Sequence, residues 1–509
     1  MRTQKTIRNI IFSFINTGAT TLLSFVSRIV FARVLSQEYL GVSGLFTSIL
    51  TVLSLAELGI GDAIGYSLYE PLAKNDLKKV QGLMQLYGKI YRAIGGLVLL
   101  AGVLLLPVYP FMISGSSTVE NLDLIYFLFI LNTSVSYFGV YKKNLIVYDQ
   151  RAYIANIYNL IFYGVRIIAQ TVFLLITRNY IIYLVIQVIF TILENLVISA
   201  RANLDYPFLK KKDKQIIPQE EIRTIKKNTF ALMLHKMGDV LLNSMDNILL
   251  SKLYGLAITG IYSNYYMVFN SLGGIIWRIF SSATASIGNL NASDSKEKMY
   301  DTFKASLFVN SFFTGLVVCC AMTSMQSFIR LAFGEDYLLD MGTLIALVVA
   351  FYVNRMRSAI TSFRDATGAF YYDRYVTLIQ AVVNIVSSFI FAHFWGIAGV
   401  FVGTSFSIIT TTFWVEPLVL YRHSFEQPLG DYFIRYAKYT LLIAAISILA
   451  VCLTQSIPNG LVGLCVRGVS SAIIFSGLYL AINHRSPEMK YFVGRISGVV
   501  KKAKRQIEK

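Results

Sequence analysis

Apolar stretches of about 18 residues or more recur from one end of this 509-residue chain to the other. Short polar turn signals such as "LSQEYLG", "FGEDYLLDMG" and "SIPNG" separate them. A helix of that length crosses the hydrocarbon core with its backbone hydrogen bonds satisfied internally, so the pattern selects an all-α polytopic membrane protein. Charged residues are 15% of the chain, against about a quarter in soluble domains. No alternating strand pattern suggests an outer-membrane barrel. The opening "MRTQKTIRNIIFSFINTGATT" has a basic lead and a long apolar body without a small-residue cleavage site, which reads as a first span and not a removed signal peptide. The turn signals predict about 14 transmembrane helices.

The formal net charge of +18 raises nucleic acid as a partner, but its placement excludes that reading. With the N-terminus in the cytoplasm, most Lys and Arg fall in cytoplasmic loops and tails. The outer loops are short and acidic, with Glu38, Glu120, Asp123, Glu335, Asp336 and Asp340. The charge is thus a topology signal, and the tail "KKAKRQIEK" faces anionic lipid. The expectation is a multi-pass membrane protein with both termini cytoplasmic.

The polar segment "LDYPFLKKKDKQIIPQEEIRTIKKN" divides six spans from the next six. The expected organisation is an N-terminal six-helix lobe (1–203), a cytoplasmic linker (204–227), a C-terminal six-helix lobe (228–425), helices 13 and 14 (426–483) and a basic tail (484–509). The halves resemble each other. "YDQRAYIANIYNLI" leads to "ENLVISAR", and "YYDRYVTLIQAVVNI" leads to "EPLVLYRH" at nearly the same spacing, so Asp149, Arg151 and Glu194 match Asp373, Arg374 and Glu416. A parallel duplication is a common plan in secondary transporters, with the substrate site between repeats.

Charges inside the spans carry the functional reading, because each is costly in lipid. Lys89, Arg92, Arg201 and Arg467 lie close enough to span ends to snorkel. Arg28, Arg166, Arg278, Arg355 and Arg357 lie deeper and must face protein partners or a wet cavity. In the seventh span, Lys236, Asp239, Asn243 and Asp246 share one helix face. In the second span, expected as one helix over 40–68, Glu57, Gly61 and Gly65 stack toward a neighbouring helix, while Asp62, Tyr66 and Tyr69 look toward a cavity. Internal pairing with Glu57, Asp62, Glu194, Asp239 or Asp246 is the competing role for the arginines. A cavity carrying guanidinium groups suits an anionic substrate, since Arg matches phosphate oxygens bidentately and keeps its charge.

The stretch "EYLGVSGLFTSILTVLSLAELGIGDAIGYSLYEPLAKND" resembles the second-span signature of bacterial polysaccharide transporters. "YKKNLIVYDQRAYI", "YPFLK", "GIYSNYYMV" and "GIAGVFVGT" look like further marks of that family. It comprises the O-antigen and capsule repeat-unit flippases of the multidrug/oligosaccharidyl-lipid/polysaccharide exporter superfamily. The resemblance implies a flippase that moves an undecaprenyl-pyrophosphate-linked oligosaccharide from the inner to the outer leaflet by alternating access, coupled to an ion gradient. It also implies Arg28 and Arg278 as leading pyrophosphate ligands, because basic residues of spans 1 and 8 line the cavity in the related lipid II flippases. The expected substrate-binding set is Arg28, Arg166, Arg278, Arg355, Arg357 and Lys236. Glu57, Asp62, Glu194, Asp239 and Asp246 are the expected cavity carboxylates or sites for a coupling H+ or Na+. Expected partners are the lipid-linked oligosaccharide, membrane lipids and other polysaccharide-assembly proteins, with no nucleic acid.

The alternatives are a lipid II flippase or a multidrug cation antiporter of the same superfamily. An antiporter cavity should be dominated by carboxylates, and here arginines are at least as numerous. No catalytic role, metal or cofactor is expected. The outer loops are too short for a polymerase, no histidine has metal-ligand or triad spacing, and Cys319, Cys320, Cys452 and Cys465 all lie in apolar runs.

Overall fold

The computed structural model describes residues 2–57, 59–115, 117–210, 217–293, 295–491 and 494. Residues 211–216 of the expected linker, and 492–493 and 495–509 of the expected tail, lie outside the described residues. The helices are α1 (Arg2–Val34), α2 (Gln37–Leu53), α3 (Ile60–Lys74), α4 (Leu77–Leu104), α5 (Leu122–Tyr148), α6 (Ala152–Thr177), α7 (Tyr180–Asp205), α8 (Gln219–Ser293), α9 (Lys296–Ala332), α10 (Met341–Met356), α11 (Ser358–Thr367), α12 (Val376–Thr410), α13 (Thr412–Leu420), α14 (Gly430–Thr454) and α15 (Leu461–Asn483). No strand occurs among the described residues. Ten of the helical segments are long and apolar enough to cross a membrane. α15 displays what such a helix needs: Val462 and Ile473 point outward, and Phe475 and Tyr479 are buried.

The chain divides into two compact units, Met1–Ser263 and Asn264–Lys509. In the first, α5 packs against α7 and α4, and α6 packs against α1 and α7. Its core runs from Ile64 and Leu68 through Leu83, Tyr87 and Tyr91 to Tyr137 and Ile146. In the second, α9 packs against α10, α14 and α15, and α10 against α12. Phe303, Phe363, Phe401 and Tyr421 are fully buried there.

Two of the longest helices are not straight rods. α8 kinks at Gly255, whose φ of 82° is open to glycine at no steric cost. The Tyr262 hydroxyl then donates to Asp246, 16 residues back, at 3.1 Å. A straight helix would hold those two residues about 24 Å apart. The limbs on either side of Gly255 therefore fold back on each other. α12 reverses likewise at Trp395–Gly396. Across that reversal Ser388 Oγ donates to the Val400 carbonyl at 2.9 Å and Ser387 Oγ to the Gly403 carbonyl at 3.0 Å. Each hairpin thus accommodates two of the expected spans.

The second expected span differs from prediction. It is not one helix over 40–68: α2 stops at Leu53, a 3-10 turn covers Ser54–Glu57, and α3 starts at Ile60. Gly59 carries the change of direction with φ 81°. Hydropathy does not register this break, since Leu55, Ala56, Leu58 and Ile60 keep the stretch apolar on average around Glu57 and Asp62.

Candidate functional site

A close helix crossing builds the first cluster. A Cβ on Gly41 of α2 would collide with the Leu256 carbonyl, and one on Gly260 of α8 with the Gln37 carbonyl. With only hydrogens at both positions, the backbones touch. Asn247 Nδ2 donates to Ser48 Oγ at 3.0 Å across the same crossing. This approach carries Ser263 to α1, where its hydroxyl accepts from Arg28 Nη2. The Ser263 hydroxyl itself donates to the Gly260 carbonyl at 2.8 Å.

Arg166 of α6 joins Arg28 around Tyr183, which lies within electrostatic reach of both guanidinium groups. The Arg166 guanidinium stacks over the Tyr163 ring at 4.9 Å, and its buried Nε has no hydrogen-bond acceptor among the described residues. Phe31 meets Tyr180 and Tyr183 edge to face at 5.3 and 5.4 Å, and Tyr39 meets Tyr180 at 5.4 Å. Two cations and several aromatic faces in one cluster can hold an anionic group and stack a ring beside it.

The carboxylates divide among different environments. Glu57 accepts from the Tyr91 hydroxyl at 2.6 Å. Gly61 and Gly65 lie so close under Tyr91, Tyr87 and Tyr148 that a Cβ at either would displace a ring. The Tyr148 hydroxyl donates to the Gly61 carbonyl at 3.0 Å, and Asn144 Nδ2 to the Tyr87 hydroxyl at 2.7 Å. Glu57 therefore faces a tyrosine-lined region of α4 and α5 despite the break in its helix. Asp62 lies on the exposed side with Tyr66 and Tyr69 and forms an ion pair with Lys236 of α8. Asp246 is the acceptor for Tyr262, Asp239 is exposed, and Glu194 pairs with Lys143 at 2.8 Å.

In the second unit, Arg357 grips Glu416 through two bonds, Nε to Oε2 at 3.0 Å and Nη2 to Oε1 at 2.7 Å. Arg364 Nη1 bridges Glu416 at 2.8 Å and Asp373 at 3.1 Å. All of Glu416, Asp373 and Arg364 are buried. Arg355 lies over Gly273, where a Cβ would come within 2.6 Å of its Nε. Arg278 is exposed on α8. Sequence reasoning missed Arg364, Lys143 and the tyrosines around Glu57. Tyr87 and Tyr91, four apart and thus on one helix face, were the available signal.

Long apolar helices carrying arginines and paired carboxylates are those of a multi-pass membrane protein. The family model for polysaccharide biosynthesis proteins matches residues 6–285, more than half of the sequence, and the chain belongs to that family. Its fold is similar to those of solved transporters. The lipid II flippase MurJ in an inward-closed conformation aligns with TM-score 0.66 and 16% identity, over 94% of this chain and 100% of that one. An inward-facing multidrug-resistance transporter of the MATE family in the MOP superfamily gives TM-score 0.63 and 15% identity over 79% and 94%. A Vibrio cholerae MATE transporter gives 0.57 and 14% over 84% and 99%. No curated protein matches the sequence significantly.

Proposed function

We propose that this protein flips an undecaprenyl-pyrophosphate-linked oligosaccharide repeat unit from the inner to the outer leaflet of a bacterial plasma membrane, for capsule or O-antigen assembly. The observation that carries the reading is the Arg28–Arg166 cluster around Tyr183, joined to membership of the polysaccharide biosynthesis family. A pyrophosphate group needs fixed positive charge along its path, while the polyprenyl tail stays in lipid. Guanidinium groups supply that charge and cannot deprotonate on the way. Ring faces of Tyr163 and Tyr183 suit the sugars that follow.

We read the helices as 14 crossings in two six-helix lobes plus a C-terminal pair, both termini cytoplasmic. The two hairpins support this count, each counted as two crossings. An ion-pair parallel supports the duplication: Lys143 and Glu194 are 51 residues apart, Arg364 and Glu416 are 52 apart. In this reading Lys236 extends the polar path within the first unit, Arg278 and Arg355 are the substrate-binding candidates of the second, and Glu57, Asp239 and Asp246 are the positions for a coupling H+ or Na+.

Transport of a labelled lipid-linked oligosaccharide in reconstituted vesicles tests the proposal. Arg28→Ala and Arg166→Ala should each lower the initial rate roughly tenfold or more, as expected when a charge-assisted hydrogen bond to substrate is lost. Wild-type rates in both variants would falsify the assignment of this cluster.

A further inference from the structure

A second cationic site lies in the first unit, on other elements than the Arg28–Arg166 cluster of α1 and α6. It is a pocket of about 480 Å³ between α4, α5 and the 3-10 turn Pro207–Lys210 that follows α7. Its polar lining is Gln81, Gln85, Lys89 and Arg92 from α4, Lys142 from α5 and Lys210 from the turn. The four α4 residues advance by four, four and three, so they line one helix face. Gly88 keeps the floor open, and the Tyr141 ring closes it at 3.2 Å from where a Cβ would stand.

We propose that this pocket binds a phosphate group of net negative charge. Four cations and no carboxylate line it among the described residues. Among the described residues none of Lys89, Arg92, Lys142 and Lys210 is engaged in an ion pair, whereas the neighbouring Lys143 is satisfied by Glu194. Arg92 Nε donates to the Gly88 carbonyl at 3.0 Å, which fixes the guanidinium plane and leaves its two terminal nitrogens for a ligand. The turn that carries Lys210 is itself anchored. Phe208 and Leu209 pack on the core, and the Tyr206 hydroxyl donates to Asp149 at 2.7 Å. Snorkelling accounts for one long cation near a helix end, but not for four converging on a walled recess with two amides. Such basic pockets between membrane helices recognise anionic headgroups, and Arg and Lys supply charge-assisted bonds to phosphate oxygens. The ligand chemistry is phosphate, carried either by an anionic membrane phospholipid or by a soluble phosphate compound.

Binding to the full chain in a neutral detergent separates these sources. The probes are dioctanoyl phosphatidylglycerol, dioctanoyl phosphatidylcholine and inorganic pyrophosphate, read by native mass spectrometry and by the unfolding midpoint. Phosphatidylglycerol should bind and phosphatidylcholine should not. Affinity should fall roughly tenfold or more in Arg92→Gln/Lys142→Gln, the effect of losing a charge-assisted bond. Lys210→Gln, on an exposed position, gives a second variant that leaves the helix core intact. If pyrophosphate binds with the same sensitivity, phosphate alone suffices and the pocket is not lipid-specific. The proposal is overturned if neither anionic probe binds more tightly than phosphatidylcholine, or if binding is unchanged in both variants.

Discussion

Glu416 receives guanidinium groups from the partly buried Arg357 and the buried Arg364, so its removal takes a shared carboxylate from both and leaves Arg364 to Asp373 and Asp365. Uncompensated buried charge is costly: breaking such a pair from one side costs about 3–5 kcal/mol. Glu416→Ala should therefore lower the unfolding midpoint of the purified protein steeply. Arg374→Ala should not, because Arg374 stacks on the exposed rings of Tyr371 and Tyr375. A similar midpoint in both variants would show that the network is not structural. Asp340 contributes in a smaller and pH-dependent way. It caps α10, accepting from the Thr343 hydroxyl at 2.5 Å and the Thr343 amide at 2.9 Å. The Thr343 hydroxyl bond is the main cause holding its carboxyl below the usual Asp value of about 3.9, despite some burial. A depressed folded value means the contribution is full above the unfolded value and is lost as pH falls through the folded one. Asp340→Ala should cost about 1 kcal/mol at pH 7, and the gap between variant and wild type should close in acid melts. At this scale the sequence revealed where charges are expensive, but not their partners. Arg357 was visible as a deep cation. Arg364 was not, because it sits at the polar end of its span, where a charge needs no explanation.

The α2–α8 crossing makes an element-scale prediction. Gly260→Ala places a methyl group against the Gln37 carbonyl, with backbone on both sides and no flexible tip to yield. Folded protein recovered from membranes should fall sharply, as judged by size-exclusion chromatography. Gly274→Ala on the same helix meets nothing within 4 Å and should be tolerated. Equal yields would show that the crossing can open. Helix existence was legible throughout, since long apolar runs bounded by turn residues leave few choices. The hairpin reversals at Gly255 and Gly396 were legible as boundaries between spans. The break after Leu53 was not, because a left-handed glycine leaves no trace in hydropathy and "LGIGDAIG" offers several glycines of equal claim.

Over the whole molecule, the distribution of Lys and Arg carries the orientation. Glu335, in the turn between α9 and α10, and Glu426, between α13 and α14, are both exposed and should face opposite sides of the membrane. In a background with the four native cysteines replaced by serine, Glu335→Cys should react with an impermeant maleimide added to intact cells. Glu426→Cys should react only after permeabilisation. The reverse pattern would invert the topology. Family and fold class were legible because each is written many times along the chain. The proposed duplication is legible only in outline: what supports it best is two ion pairs at matched separation, formed by Lys143 in one half and Arg364 in the other.

The single residue Gly59 has a mechanical consequence. On one side, α2 is riveted to α8 at Gly41 and Gly260; on the other, α3 is stapled to α4 and α5 by the tyrosines over Gly61 and Gly65. Gly59 is then a joint between two clamped levers, and rotation about it breaks no helical ladder. Stiffening the joint should register first as friction. Gly59→Ala, strained by about 1 kcal/mol in the left-handed region, should slow transport more than it lowers thermal stability. Vesicle transport and melting of one preparation would measure both.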